Sequence, residues 1–128
     1  MFVDFQINLY VRDVERALAF YTAIGGVESF RTPAAGTPVH AEVRLGGATI
    51  GVASVAAARD DHGLDVSAEG NAAEVVLWTD DLAGDWDLLL KAGAEPMAEP
   101  LDLPTGLSVA WAADPDGNPV HLVMRRAS

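Results

Sequence analysis

Apolar and polar residues alternate along Phe5–Val11: Ile7, Leu9 and Val11 fall on one side, Gln6, Asn8 and Tyr10 on the other. A period of two marks a strand with one apolar and one polar face. The period then lengthens. Val14, Ala17, Leu18, Tyr21 and Ile24 recur at helical spacing, Asp13 stands where an N-cap belongs, and Gly25-Gly26 supplies a stop. A short strand is expected over Gly26–Arg31 and a loop over Thr32–Pro38. Val39–Leu45 alternates again, with Val39, Ala41, Val43 and Leu45 set against His40, Glu42 and Arg44. Gly46-Gly47 is a hairpin signal. Ala48–Ala53 closes this first unit, its apolar side made by Ala48, Ile50 and Val52 and its other side by Thr49, Gly51 and Ala53.

The same order of elements returns in the second half. QINLYVRDVERALAFYTAIG (Gln6–Gly25) falls without a gap on EVVLWTDDLAGDWDLLLKAG (Glu74–Gly93), so that Gln6 meets Glu74, Asp13 meets Asp81 and Gly25 meets Gly93. LGGATIGV (Leu45–Val52) likewise falls on DGNPVHLV (Asp116–Val123), with Gly51 on His121. Such self-similarity predicts two copies of one β-α-β-β-β unit. Glu74, Val76 and Trp78 share a strand face. Asp80 or Asp81 caps a helix whose apolar stripe is Leu82, Trp86, Leu89 and Leu90, so Trp86 is expected in the core. Pro96, Pro100 and Pro104 confine the next segment to an edge strand or extended loop. Leu107–Ala112 is a strand in which Trp111 has no assignable face. Asp114–Gly117 is a turn. Asn118–Arg125 is the closing strand, with His121, Val123 and Arg125 on one side.

The fold class expected is therefore α+β. One compact domain holds module one at about 4–54, a connector at about 55–73 and module two at about 74–126. The connector is rich in Ala, Asp and Gly and long for a loop, which leaves room for a helical or mobile part. His62 falls within it and is expected at the surface.

Charge narrows the partners. Eight Lys and Arg against 19 Asp and Glu give a formal net charge of −11. Phosphate recognition runs on clustered Lys and Arg, so neither a nucleic acid nor an anionic membrane is expected. The absence of Cys removes disulfides, thiolate catalysis and cysteine metal sites. With no apolar run of membrane-spanning length and no basic-then-apolar start, a cytoplasmic location is expected.

With these motifs in view (YVRDVERALAFYTAIGG, LWTDDLAGDWDLLLKAGAEP and ADPDGNPVHLV) the chain resembles the vicinal oxygen chelate superfamily, the glyoxalase, bleomycin-resistance and dioxygenase group. The resemblance implies paired modules whose strands curl into a mixed sheet around a shared cavity, and a homodimer. It also implies metal ligands at the start of each first strand and the middle of each last strand: Gln6, Gly51, Glu74 and His121. Gly51 has no side-chain donor. Gln6, Glu74 and His121 remain, a set suited to one divalent ion such as Zn, Ni, Mn or Fe.

Two functions follow. In one, the chain binds a small organic molecule in the cavity, with Asn8, Tyr10, His40, Glu42, Arg44, Trp78 and Trp111 as contacting residues. In the other, it is a metal-dependent lyase, isomerase or transferase acting on a substrate with vicinal oxygens, with Glu74 as the base. Residue chemistry alone leaves open that Glu74 and His121 hydrogen-bond each other without a metal.

Overall fold

The computed structural model describes residues 1, 6–69 and 73–127. Asp4 and Phe5, where the first module and its strand were expected to begin, and 70–72 of the connector lie outside the described residues. The chain divides into two compact units, Met1–Glu69 and Gly70–Ser128.

The first unit runs β1 (Ile7–Val11), α1 (Val14–Ala23), β2 (Val27–Thr32), β3 (His40–Leu45), β4 (Ala48–Ser54) and α2 (Val55–His62). Its sheet has the order β1-β4-β3-β2, with β1 parallel to β4 and the other neighbours antiparallel. Helix α1 starts where Asp13 accepts a hydrogen bond from Arg16 N at 3.2 Å, satisfying one of the amides that a first turn leaves without a helical partner. It buries Val14, Ala17, Leu18, Phe20 and Tyr21 and packs on β3, β4 and β2; Leu9, Val11, Val43 and Val52 of the sheet are buried as well. Each such side chain contributes roughly 1.5–3 kcal/mol. Phe20 extends the stripe expected from the sequence and meets Tyr21 edge to face at 4.9 Å. Ile24, expected on that stripe, is only half-buried because it is already the C-cap.

Strand β2 carries an external brace. Arg31 holds Glu28 through Nη2 at 2.7 Å and Glu15 of α1 through Nη1 at 2.7 Å. The hydrogen bond from Arg31 draws the Glu28 carboxyl below its usual range, helped by the guanidinium charge. The connector opens as a helix: Ser54 accepts from Ala57 N at 3.1 Å, and Gly63 closes α2 in the left-handed region. His62 is exposed in its last turn rather than in a loop.

The second unit runs β5 (Val75–Trp78), α3 (Leu82–Lys91), β6 (Glu95–Asp102), β7 (Leu107–Ala113) and β8 (Pro119–Arg125). Its sheet order, β5-β8-β7-β6, repeats that of the first unit. Asp81 rather than Asp80 is the cap, accepting from Gly84 N at 3.1 Å. Leu82, Trp86 and Leu89 are buried, so Trp86 is a core residue. Gly25 and Gly93, aligned by the repeat, both end their helices with positive φ (109° and 106°), a conformation that disfavours any residue with a Cβ. Proline-bearing β6 is an edge strand with irregular register, as prolines without an N–H require.

Candidate ligand site

Strand register decides which side chains meet. In the second module Val76, His121 and Trp111 lie on one rung across β5, β8 and β7. Residues on one rung project to the same side, which settles the face of Trp111. Glu74, two residues before Val76, reaches both of its aromatic neighbours. One carboxylate oxygen, Oε2, accepts from the Trp111 indole N–H at 3.0 Å, and the other, Oε1, lies 3.1 Å from His121 Nδ1. The two rings stack, with centroids 3.9 Å apart and planes 16° from parallel. One carboxylate thus clamps two parallel rings. Nε2 of His121 is buried and has no hydrogen-bond partner.

The corresponding rung of the first module is Asn8, Gly51 and Glu42 across β1, β4 and β3. Gln6 donates to Asn8 Oδ1 at 2.8 Å and, at 3.5 Å, to Glu42 Oε2, which also lies 3.2 Å from His40 Nε2. A Cβ at Gly51 would sit 2.0 Å from Asn8 Oδ1 and 3.0 Å from Gln6 Nε2. The bare face of Gly51 is therefore filled by the amides beside it. His40 also leans on Phe30, centroids 6.2 Å apart.

Trp78 and Tyr10 hold matching places in the repeat, each two residues beyond the central rung. Tyr10 is half-buried. Trp78 is 55 % exposed, and the Arg125 guanidinium lies 4.2 Å above its ring, a cation–π contact of roughly 0.5–1 kcal/mol at such an exposed place. Together with Thr79, Asp80 and Asp85 they line an open groove; the Thr79 hydroxyl is taken up by Asp85. Arg125 was not among the residues singled out, although its place on the His121–Val123–Arg125 face was the signal for it. Arg44 is exposed on β3 opposite Thr49.

The structure thus joins Glu74, His121 and Trp111 in the second module, and Gln6, Asn8, Glu42 and His40 in the first. Trp78 stands apart from Glu74 along β5 by about 13 Å at strand rise. A catalytic divalent ion takes about three protein ligands. The second module offers Glu74 and His121, and both oxygens of Glu74 are already occupied by ring nitrogens. Among the described residues no group of three or more His, Asp or Glu is placed to hold a metal ion. The described carboxylate and imidazole donors do not by themselves fit such an ion.

These features define a two-module α+β protein with a polar, aromatic face in each half. The chain belongs to the Glyoxalase/Bleomycin resistance protein/Dioxygenase superfamily, whose family model matches residues 5–122. Among solved structures it is similar to a glyoxalase-related enzyme from Fulvimarina pelagi, at 20% identity and a TM-score of 0.81 over 97% of this chain and 88% of that one. It is similar to a member of the superfamily from Sphaerobacter thermophilus at 26% identity, TM-score 0.70, over 97% and 98% of the two chains. A bleomycin-binding protein complexed with bleomycin is also similar, at 22% identity and a TM-score of 0.66 over 96% and 98%. No curated protein matches the chain significantly. Among the described residues no helix is long and apolar enough to cross a membrane.

Proposed function

We propose that this protein binds a small, flat organic molecule without a metal, on the polar face of its second module. The observation that carries this reading is the Glu74–Trp111–His121 clamp, two parallel rings fixed by one carboxylate. Small-molecule sites combine aromatic and apolar walls with a few fixed polar groups, and the clamp supplies both. Trp78 with Arg125 extends the same strand face, and the net charge of −11 favours a cationic ligand. In the first module the row Asn8, Tyr10, His40, Glu42 and Arg44 is proposed as a ligand-contacting face in its own right. The bleomycin-binding protein among the similar structures supports a binding role for this fold. A homodimer belongs to the same proposal. The exposed apolar side chains of edge strands β2 and β6, among them Val27, Phe30, Met97 and Leu101, support it.

Tryptophan fluorescence against a panel of cationic aromatic antibiotics tests the reading. Saturable quenching is expected, lost in Trp111→Ala, together with a metal-free purified protein. An absence of quenching across the panel counts against it. A divalent ion at one per chain, lost in Glu74→Ala and His121→Ala, replaces it with the metal-dependent alternative.

A further inference from the structure

The clamp fixes more than the position of its rings. A glutamate carboxylate only accepts hydrogen bonds, and an indole N–H only donates one. Glu74 faces Trp111 Nε1 with one oxygen and His121 Nδ1 with the other. The proton of a neutral His121 ring must then sit on Nδ1, which leaves Nε2 as a bare acceptor. That atom is the buried one without a partner, and an acceptor in such a place is costly to leave unmatched. The stacked indole covers one ring face and Nε2 itself is buried, so a donor reaches it in the plane of the imidazole once the side chains over that edge turn aside.

We propose that His121 Nε2 is the specificity-determining acceptor of this site. It would select ligands that carry a weakly acidic O–H or N–H on a flat ring (a phenol, an enol or an imide). Glu74, expected from the sequence to be the base, is instead the positioning residue that sets the His121 tautomer. Trp111 holds the ring flat. The inference rests on reading this face as the ligand site, and it adds the chemistry the ligand must bring.

The test uses the full chain labelled with 15N at histidine, with phenol as the probe and anisole, its methyl ether, as the shape-matched control. In the free protein the spectrum should show Nδ1 protonated and Nε2 bare. Phenol should move the Nε2 signal and bind roughly fivefold to tenfold more tightly than anisole, the ratio expected of one neutral hydrogen bond. In Glu74→Gln the amide oxygen can serve only one of the two ring N–H groups, so its NH2 turns to His121. The proton should then move to Nε2 and the preference for phenol disappear, with the urea midpoint close to wild type. Nε2–H in the free protein, or Nδ1–H retained in Glu74→Gln, overturns the positioning role. Equal binding of phenol and anisole, each quenching Trp111, overturns the acceptor role alone. Failure of both to bind overturns the acceptor role together with the ligand reading.

Discussion

The two modules share a backbone plan down to the register and differ in what fills it. Asn8 faces Gly51 as Val76 faces His121, and Glu42 faces Gly51 as Trp111 faces His121. In the first module two amides lie over a glycine, and one of them, Gln6, donates to both Asn8 and Glu42. In the second an imidazole occupies the glycine's place, an indole that of Glu42, and Glu74 ties them together. Backbone pairing is indifferent to these exchanges, because every one of them lies on the face turned away from the helix. The comparison teaches that chemistry can diverge on one side of a sheet while packing on the other holds the register.

The helices break the likeness first. Phe20 of α1 and Leu88 of α3 hold matching positions, yet Phe20 is 2 % exposed and Leu88 38 %. Phe20→Ala should cost about 3–5 kcal/mol in urea unfolding and Leu88→Ala no more than about 1 kcal/mol. Equal losses would show that the two helix faces are used alike. A smaller effect is expected on the polar face. Gly51→Ala should destabilise by no more than about 1 kcal/mol, since its methyl group displaces the exposed side chain of Asn8, which can turn aside. Combined with Asn8→Ala the penalty should vanish; a penalty that persists in the double variant would place the strain in the backbone instead.

The smallest difference is electrostatic. Glu28, braced by Arg31, has no counterpart on β6, where the aligned residue is Pro96. Its carboxyl titrates lower folded than unfolded. The stability it contributes is therefore fully present above the unfolded value near 4.5 and is lost as pH falls through the lower folded value. The pair is exposed, so the effect should be slight. Comparing urea midpoints of wild type and Glu28→Gln at about pH 6 and about pH 3 should show a gap that closes in acid; a constant gap would mean that the brace acts by packing.

Most of the architecture was legible because alternation and helical spacing are written into both copies. Asp13, Asp81, Gly25 and Gly93 marked the helix ends for plain physical reasons. Trp111 escaped assignment because β7 reads LSVAWAA, with Ser108, Val109 and Ala110 all buried, so no alternation shows its face. Only pairing with β8 supplies it. Helix α2 was hidden for the opposite reason: it has almost no buried stripe, only Ala58, and forms from alanine propensity and a serine cap. The Glu74–His121 hydrogen bond was among the open readings. The indole joining it was not, because it depends on three strands lying side by side.

A carboxylate that serves two rings at once cannot abandon one of them quietly. Any molecule that pulls on His121 or displaces Glu74 also alters the surroundings of the Trp111 indole, whose nitrogen shares that carboxylate. The protein therefore carries its own optical gauge: occupancy of this face should be readable as a change in indole emission, with no dye attached.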